Sequence, residues 1–181
     1  MGKKGVLFSL MLAVMVLFTA CNKEIKYFAP TKAQVDEFIS DNSINALSIK
    51  ETMDFTIVLF QNEYEYGYYT LHRDQNNKLY SSGATAIGKL KESPILIGST
   101  SGETPLCVVI INNEDILKKA KEIEITYIDG IKDGTTQKTI EMVSGKGTII
   151  LCPKEKNKEP KWYTKLVIYD EEMTALYTYE Q

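Results

Sequence analysis

Cysteine and histidine are the side chains of this sequence best suited to covalent, metal or acid–base chemistry, and they are few. The 181 residues contain three cysteines, Cys21, Cys107 and Cys152, and one histidine, His72. Zinc needs several Cys or His ligands at short spacing, and a nucleophilic triad needs a histidine beside a nucleophile. The spacing supports neither arrangement. We therefore predict no catalytic residue, no metal and no cofactor.

Cys21 follows a run that fits an export signal. Two lysines near the start precede residues 6–18, which are apolar apart from one serine. Such a run is the core of a secretory signal, and it is shorter than the roughly 20 apolar residues of a transmembrane helix. Residues 17–21, Leu-Phe-Thr-Ala-Cys, resemble the lipobox of bacterial lipoproteins, with Phe18 at the usual leucine position. The resemblance implies a signal peptide over residues 1–20 and thioether lipidation of Cys21; the alternative is an uncleaved anchor helix.

Lipidation would fix where the protein acts. Two acyl chains hold a protein firmly on a bilayer, so the predicted partner is the membrane, reached through Cys21, and the predicted location is the extracytoplasmic face of the cell membrane. Removal of residues 1–20 takes away two lysines and no acid, which leaves 19 basic and 24 acidic side chains and a net charge of −5. That charge argues against a nucleic-acid partner.

The rest of the chain reads as a tether over residues 21–30 and a single β-rich domain over residues 31–181. Thr31 and Gln34 form a capping-box pattern ahead of a helix, and an asparagine, two acids and then lysines predict a second helix over 113–121. Elsewhere the apolar residues follow strand periodicity between turn residues. These runs predict strands near 46–50, 53–61, 65–73, 78–82, 85–90, 94–98, 106–112, 122–128, 137–143, 147–152, 162–169 and 174–179.

The predicted fold class is mainly β, an antiparallel β-sandwich, possible also as two small β lobes, with two short helices. The run 55–60, Phe-Thr-Ile-Val-Leu-Phe, is apolar at nearly every position, which predicts a central strand covered on both faces. Two stretches of the sequence are weakly similar, one around Asp74 and one around Asp170. Each has a strand, then a turn that begins with aspartate, then a strand that contains Leu-Tyr. Two instances are too few to define a repeat architecture.

Cys107 and Cys152 form an even pair in a chain predicted to be exported, which allows a disulfide. Both also lie in apolar runs, where an unpaired cysteine behaves as a small hydrophobic residue. We favour two unpaired, buried thiols, with a bridge as the close alternative.

Three tyrosines carry the binding prediction. Tyr64, Tyr66 and Tyr68 alternate along a predicted strand and share one face. Tyrosine is common at recognition surfaces because its ring is large and stiff and its hydroxyl stays hydrated. The predicted binding face therefore contains these three rings, unless they pack in the core or against a neighbouring strand.

Segments 56–60 (Thr-Ile-Val-Leu-Phe), 65–69 (Glu-Tyr-Gly-Tyr-Tyr), 107–112 (Cys-Val-Val-Ile-Ile-Asn) and 121–127 (Lys-Glu-Ile-Glu-Ile-Thr-Tyr) are similar to stretches of uncharacterised lipoproteins from Bacillus-like Gram-positive bacteria. This chain departs from them in having Asp170-Glu171-Glu172-Met173 where they often carry an Asp-Gly turn. The resemblance implies the cell envelope and no particular chemistry.

The function predicted from the sequence is a non-catalytic binding or envelope-structural role, with an envelope protein or glycan as partner. The alternative is a carboxylate-dependent hydrolase that acts on cell-envelope material.

Overall fold

A computed structural model of the chain describes residues 26–88, 92–100, 105–129, 135–151 and 161–181. Within these ranges the protein is mainly β, with antiparallel sheets and two helices, and the predicted β-sandwich fold class is confirmed. The elements are β1 (Tyr27–Phe28), α1 (Lys32–Asp41), β2 (Ala46–Glu51), β3 (Thr56–Gln61), β4 (Glu65–Asp74), β5 (Leu79–Ile87), β6 (Ile95–Ser99), β7 (Leu106–Ile111), α2 (Glu114–Lys119), β8 (Glu122–Asp129), β9 (Thr135–Met142), β10 (Gly147–Leu151), β11 (Lys161–Tyr169) and β12 (Ala175–Glu180).

The strands form three antiparallel sheets. Sheet A contains β2, β3, β4 and β5 in that order, and β1 pairs with the end of β4. Sheet B has the order β10-β7-β6, and sheet C has the order β12-β11-β8-β9. Most strands pair with their neighbours along the chain, as a series of hairpins.

Sheet B lies between the other two sheets, and β7 explains why. All six residues of β7 are buried, because alternate side chains enter two different cores. Leu106, Val108 and Ile110 pack with residues of β3 and β4 in sheet A. The other three residues of β7 pack with β8 and β11 in sheet C. A strand covered on both faces must be apolar at every position, as this one is.

Helix α1 covers the outer face of sheet A. Thr31 caps it as predicted: its hydroxyl accepts from the Gln34 N–H, and the Gln34 side chain accepts from the Thr31 N–H. Val35 of α1 is 3% exposed and packs against Val58 and Leu71. Strand β3 is therefore covered by α1 on one face and by sheet B on the other, which confirms the prediction of a doubly covered strand.

Helix α2 connects sheet B to sheet C and also follows its predicted signals. The Asn113 side chain accepts from the Ile116 N–H at 3.0 Å, which caps the first turn. Acids occupy the first turn and lysines the last, as the helix dipole favours.

Two elements differ from the sequence prediction. Residues Tyr27 and Phe28, which we assigned to the tether, pair with Asp74 and Arg73 as an additional short strand. Strand β5 is continuous where two strands were predicted on either side of Gly83. Glycine is required there for space rather than for a turn, because a Cβ at Gly83 would lie 2.3 Å from a backbone oxygen of β4.

The hairpin turns lie at two ends of the sandwich. We call the end with β1 and with turns 52–55 and 74–78 the entry end. The opposite, far end holds turn 62–64. The Gln61 side chain there donates to Asn112 Oδ1 at 3.2 Å, which places the last residues of β7 at the far end. Helix α2 and turn 170–174 follow at the same end, because Glu122 pairs with Tyr169.

Candidate functional site

The three tyrosines predicted to form a binding face do not form an exposed row. Tyr68 is 7% exposed and belongs to the core between sheets A and B. Tyr66 is half-buried, and its hydroxyl donates to the Ile97 carbonyl of sheet B at 3.1 Å. Tyr64 precedes β4, and it is 67% exposed at the far end. The shared face of Tyr66 and Tyr68 is thus directed toward sheet B, and ligand binding by the three residues stays a prediction.

A cleft of about 360 Å³ opens between sheets A and B, in the half of the sandwich nearer the entry end. Sheet A supplies its wall from β3, β4 and β5, and sheet B supplies the rest. Nine described residues line it: Phe55, Ile57, Tyr68, Thr70, Ser82, Gly83, Thr100, Leu106 and Leu151. The volume falls in the range of roughly 300–1,000 Å³ that small-molecule sites occupy.

The unequal width of the two sheets creates this cleft. Among the described residues, sheet A presents β4 and β5 beside its central strand, whereas sheet B has three strands. Residues 81–88 are accordingly exposed. Close pairing of β4 with β5 needs small residues, since a Cβ at Gly67 would lie 2.2 Å from the Ala84 carbonyl oxygen. The result is a smooth, uncharged wall.

The lining can bind an apolar body and orient a polar group. Aromatic and aliphatic side chains form most of it, and Thr70 and Ser82, a cross-strand pair, add hydroxyls on the sheet A side. Thr100 is held in place because its backbone N–H donates to the Leu106 carbonyl and its side chain accepts from the Leu106 N–H. Burial raises the pKa of Tyr68 above its ordinary value, so this phenol stays neutral.

The described lining residues include no carboxylate, lysine or histidine. General acid–base catalysis needs a titratable group within hydrogen-bonding reach of the reacting atoms. The cleft as described has Tyr68 as its titratable group, with a pKa moved away from neutrality. The described lining is therefore suited to holding a molecule.

Two other hollows are less suited to a ligand. The far-end hollow, about 400 Å³, is lined by Asn45, Leu47, Gln61, Asn62, Glu63 and Lys146. Its amides are already engaged within the protein: Asn45 donates to the Gln61 carbonyl at 2.9 Å, and Asn62 donates to the Glu65 carboxylate at 3.0 Å. The third, beside the Lys50–Glu141 ion pair, measures about 160 Å³.

The remaining chemistry-bearing residues lie apart from the cleft. Cys107 is a free, fully buried thiol, and burial raises its pKa to about 12, so it is neither charged nor accessible. His72 packs against the rings of Tyr27 and Tyr80 at the entry end, at centroid distances of 4.9 and 6.2 Å. Cys152 and the predicted lipidation residue Cys21 lie outside the described residues, as does the predicted signal peptide.

Residues 83–89 have the G-x-x-x-x-G-K spacing of a phosphate-binding loop, but Leu90 follows the lysine where that motif has Ser or Thr. Residues 83–87 also lie in the extended strand β5, whereas the phosphate loop connects a strand to a helix. The spacing is therefore not a nucleotide site in this fold.

Among the described residues, no three His, Cys, Asp or Glu side chains lie close enough together to hold a metal ion. None of the described helices is both long and apolar enough to cross a membrane. Comparisons with protein-family models, with curated proteins and with solved structures give no significant match.

Sequence reasoning missed the cleft because its residues come from six strands or their flanks and meet only after the sheets stack. One local signal was present. Residues 81–87, Ser-Ser-Gly-Ala-Thr-Ala-Ile, form a long strand without a charged residue, which is unusual for an edge strand.

Proposed function

We propose that this chain is a membrane-anchored extracytoplasmic lipoprotein that binds a small apolar or amphipathic molecule in the cleft between sheets A and B, without catalysis. The cleft carries the proposal: its volume suits a small ligand, its floor is apolar, and its hydroxyls can fix one polar group. The apolar run that ends at Cys21 supports the anchor.

Binding is tested with a matched pair of substitutions on neighbouring residues of β5. Ser82 lines the cleft, and Ser81 points to the opposite face of the same strand; both are exposed. The fragment 22–181 contains every residue of the three buried clusters. The fluorescent probe N-phenyl-1-naphthylamine should brighten on binding this fragment.

We expect Ser82→Phe to fill the cleft and abolish the increase in fluorescence, and Ser81→Phe to leave it unchanged. Circular dichroism of both variants checks that the fold is intact. Equal probe binding by the two variants, or none by the wild type, would contradict the proposal.

The anchor is tested separately by mass spectrometry of the membrane fraction. In cells with lipoprotein-processing enzymes, the N-terminal peptide of the mature chain should begin at Cys21 and carry a diacylglyceryl mass. Cys21→Ser should release or misprocess the protein. An unmodified Cys21 in the wild type would exclude lipidation without affecting the cleft.

A further inference from the structure

Three exposed apolar side chains lie at the entry end, where the described chain begins at Lys26. Others, such as Tyr64 and Met173, lie at the far end, so the position of the anchor rather than exposure alone selects the entry end. Tyr27 and Phe28 of β1 are 45% and 41% exposed, and Met53 in the neighbouring turn is 90% exposed. A hydrogen bond of 3.2 Å from the Ala29 N–H to the Met53 carbonyl joins the two segments. We call these three side chains the entry patch.

Neighbouring side chains pack against Tyr27 and Phe28 of the entry patch. The Tyr27 ring packs edge-on against His72 and against Tyr80. Phe28 lies on the other face of β1, where the Arg73 guanidinium is 5.8 Å from the centre of its ring. Tyr27 and Phe28 thus flank the sheet edge on both sides and cannot cover each other, because neighbouring strand residues point in opposite directions.

Basic side chains beside the patch suit anionic lipid headgroups, and the exposed acids Glu51 and Asp54 lie at the same end. Lys26 and Lys78 are exposed, and the Lys78 ammonium lies 5.1 Å from the centre of the Tyr80 ring. The Asp74 carboxylate is turned inward and accepts hydrogen bonds from its own turn. Asp54 is the exposed acid of turn 52–55. Tyrosine and long basic side chains are favoured at bilayer interfaces.

The length of chain before the patch limits its distance from the membrane. Lys26 follows Cys21 by five positions. A fully extended chain spans at most about 3.6 Å per residue, so the entry end can stand no more than about 18 Å from a lipid on Cys21. At this distance the entry end can contact the headgroup layer when the domain lies against the membrane.

We propose that the entry patch docks on the bilayer, with Tyr27, Phe28 and Met53 in the headgroup region and the far end directed away from the membrane. The inference rests on the proposed anchor at Cys21. It adds a second, non-covalent contact, made by exposed apolar side chains close to the anchor. The cleft would then lie in the membrane-proximal half of the protein.

The test compares two acidic turn residues at opposite ends, Asp54 and Glu172, both exposed. In the lipidated full-length chain with Cys152→Ser, each is replaced by cysteine in turn and labelled with the environment-sensitive dye NBD. The proteins are reconstituted in vesicles of phosphatidylcholine and phosphatidylglycerol at about 7:3, with a nitroxide quencher on the headgroups. Because the native patch is untouched, the comparison does not depend on a destabilising substitution.

We expect blue-shifted emission and several-fold stronger quenching for the dye at position 54 than at position 172. Adding Tyr27→Ser, Phe28→Ser and Met53→Ser should make the two positions alike, whereas Tyr64→Ser at the far end should not. Equal quenching at both positions in the unaltered chain overturns docking. If the protein fails to float with vesicles at all, the anchor has failed rather than the docking surface.

Discussion

The β4–β5 and β11–β12 hairpins close with the same five-residue turn, at opposite ends of the molecule. In turn 74–78, the Asp74 N–H donates to the Lys78 carbonyl, and the Asn77 N–H donates to the Asp74 carbonyl. Asp74 Oδ1 then accepts from the N–H groups of Asn76 and Lys78 at 2.8 and 3.0 Å. The side chain thus satisfies the backbone donors inside the turn.

Turn 170–174 repeats each of these bonds. The Asp170 N–H donates to the Thr174 carbonyl, and the Met173 N–H donates to the Asp170 carbonyl. Asp170 Oδ1 accepts from the N–H groups of Glu172 and Thr174 at 3.1 and 2.7 Å. The weak sequence similarity around Asp74 and Asp170 therefore corresponds to a shared turn geometry.

The turns share the aspartate and differ at their other four positions, and two contrasts between them show what individual residues contribute. The fourth residue has a left-handed backbone in both, with φ 63° for Asn77 and 60° for Met173. Asparagine tolerates that region, whereas other residues with a Cβ lose about 1–2 kcal/mol there. Asp74 is 6% exposed and also accepts from the Tyr80 hydroxyl. Aspartate therefore sets the turn, and the fourth residue adjusts its stability.

Replacing the two aspartates should give the largest effects and should separate the turns. Asp170→Ala removes two side-chain hydrogen bonds from a partly exposed turn, each worth about 0.5–1.5 kcal/mol. Asp74→Ala removes three bonds, one of them from the half-buried Tyr80 hydroxyl, so we expect a clearly larger loss in the free energy of unfolding. Urea denaturation of the fragment 22–181 measures both. Equal losses would show that burial and the Tyr80 bond add nothing.

Acid should weaken the Asp74 turn. Burial acts to raise the pKa of Asp74, but hydrogen bonds from Lys78, Asn76 and Tyr80 and the charge of Lys78 outweigh it, so the pKa is lowered. The native state then binds this proton less tightly than the unfolded chain. The stabilisation is present above the unfolded pKa of about 4 and is lost as the pH falls through the lower native value.

Urea midpoints measured from about pH 5 down to pH 2 follow that loss. We expect Asp74→Asn to lose less stability over this range than the wild type, with Tyr80→Phe between the two. An identical pH dependence in all three proteins would contradict the role of Asp74.

The smallest expected effect is a gain. Met173→Gly should raise the free energy of unfolding by about 1 kcal/mol, because glycine adopts a left-handed backbone without strain and the Met173 side chain, 55% exposed, has little burial to lose. Asn77→Gly is the matched control and should give no gain, since asparagine already tolerates the conformation. Thermal unfolding of the two variants decides the comparison.

Local signals predicted most elements because their causes are local. The Thr31–Gln34 capping box and the Asn113 cap define both helices, and alternating apolar residues define most strands. The short strand at Tyr27–Phe28 was not predictable, since two residues have no periodicity and are ordered by pairing with β4. The sheet partner of each face, and hence the burial of Tyr66 and Tyr68, also could not be predicted.

For the candidate site, the sequence indicated which residue types were scarce but not where a cavity would form. The alternation of side chains along a strand correctly placed Tyr66 and Tyr68 on one face. It could not show whether solvent or a second sheet lies over that face. The cleft depends on sheet B being narrower than sheet A, a property of the whole assembly. Gly83 looked like a break in a strand and is instead a point of close contact between two backbones.

The position of β7 has a consequence for how the protein unfolds. Sheet B forms one wall of both main cores, so neither sheet A nor sheet C can detach without exposing one side of Leu106–Ile111 to water. The two halves are thereby coupled into one cooperative unit. Leu-Cys-Val-Val-Ile-Ile, uncharged and rich in β-branched residues, has the composition of segments that assemble into amyloid-like fibrils. Because unfolding is cooperative, this segment stays buried until the whole domain unfolds.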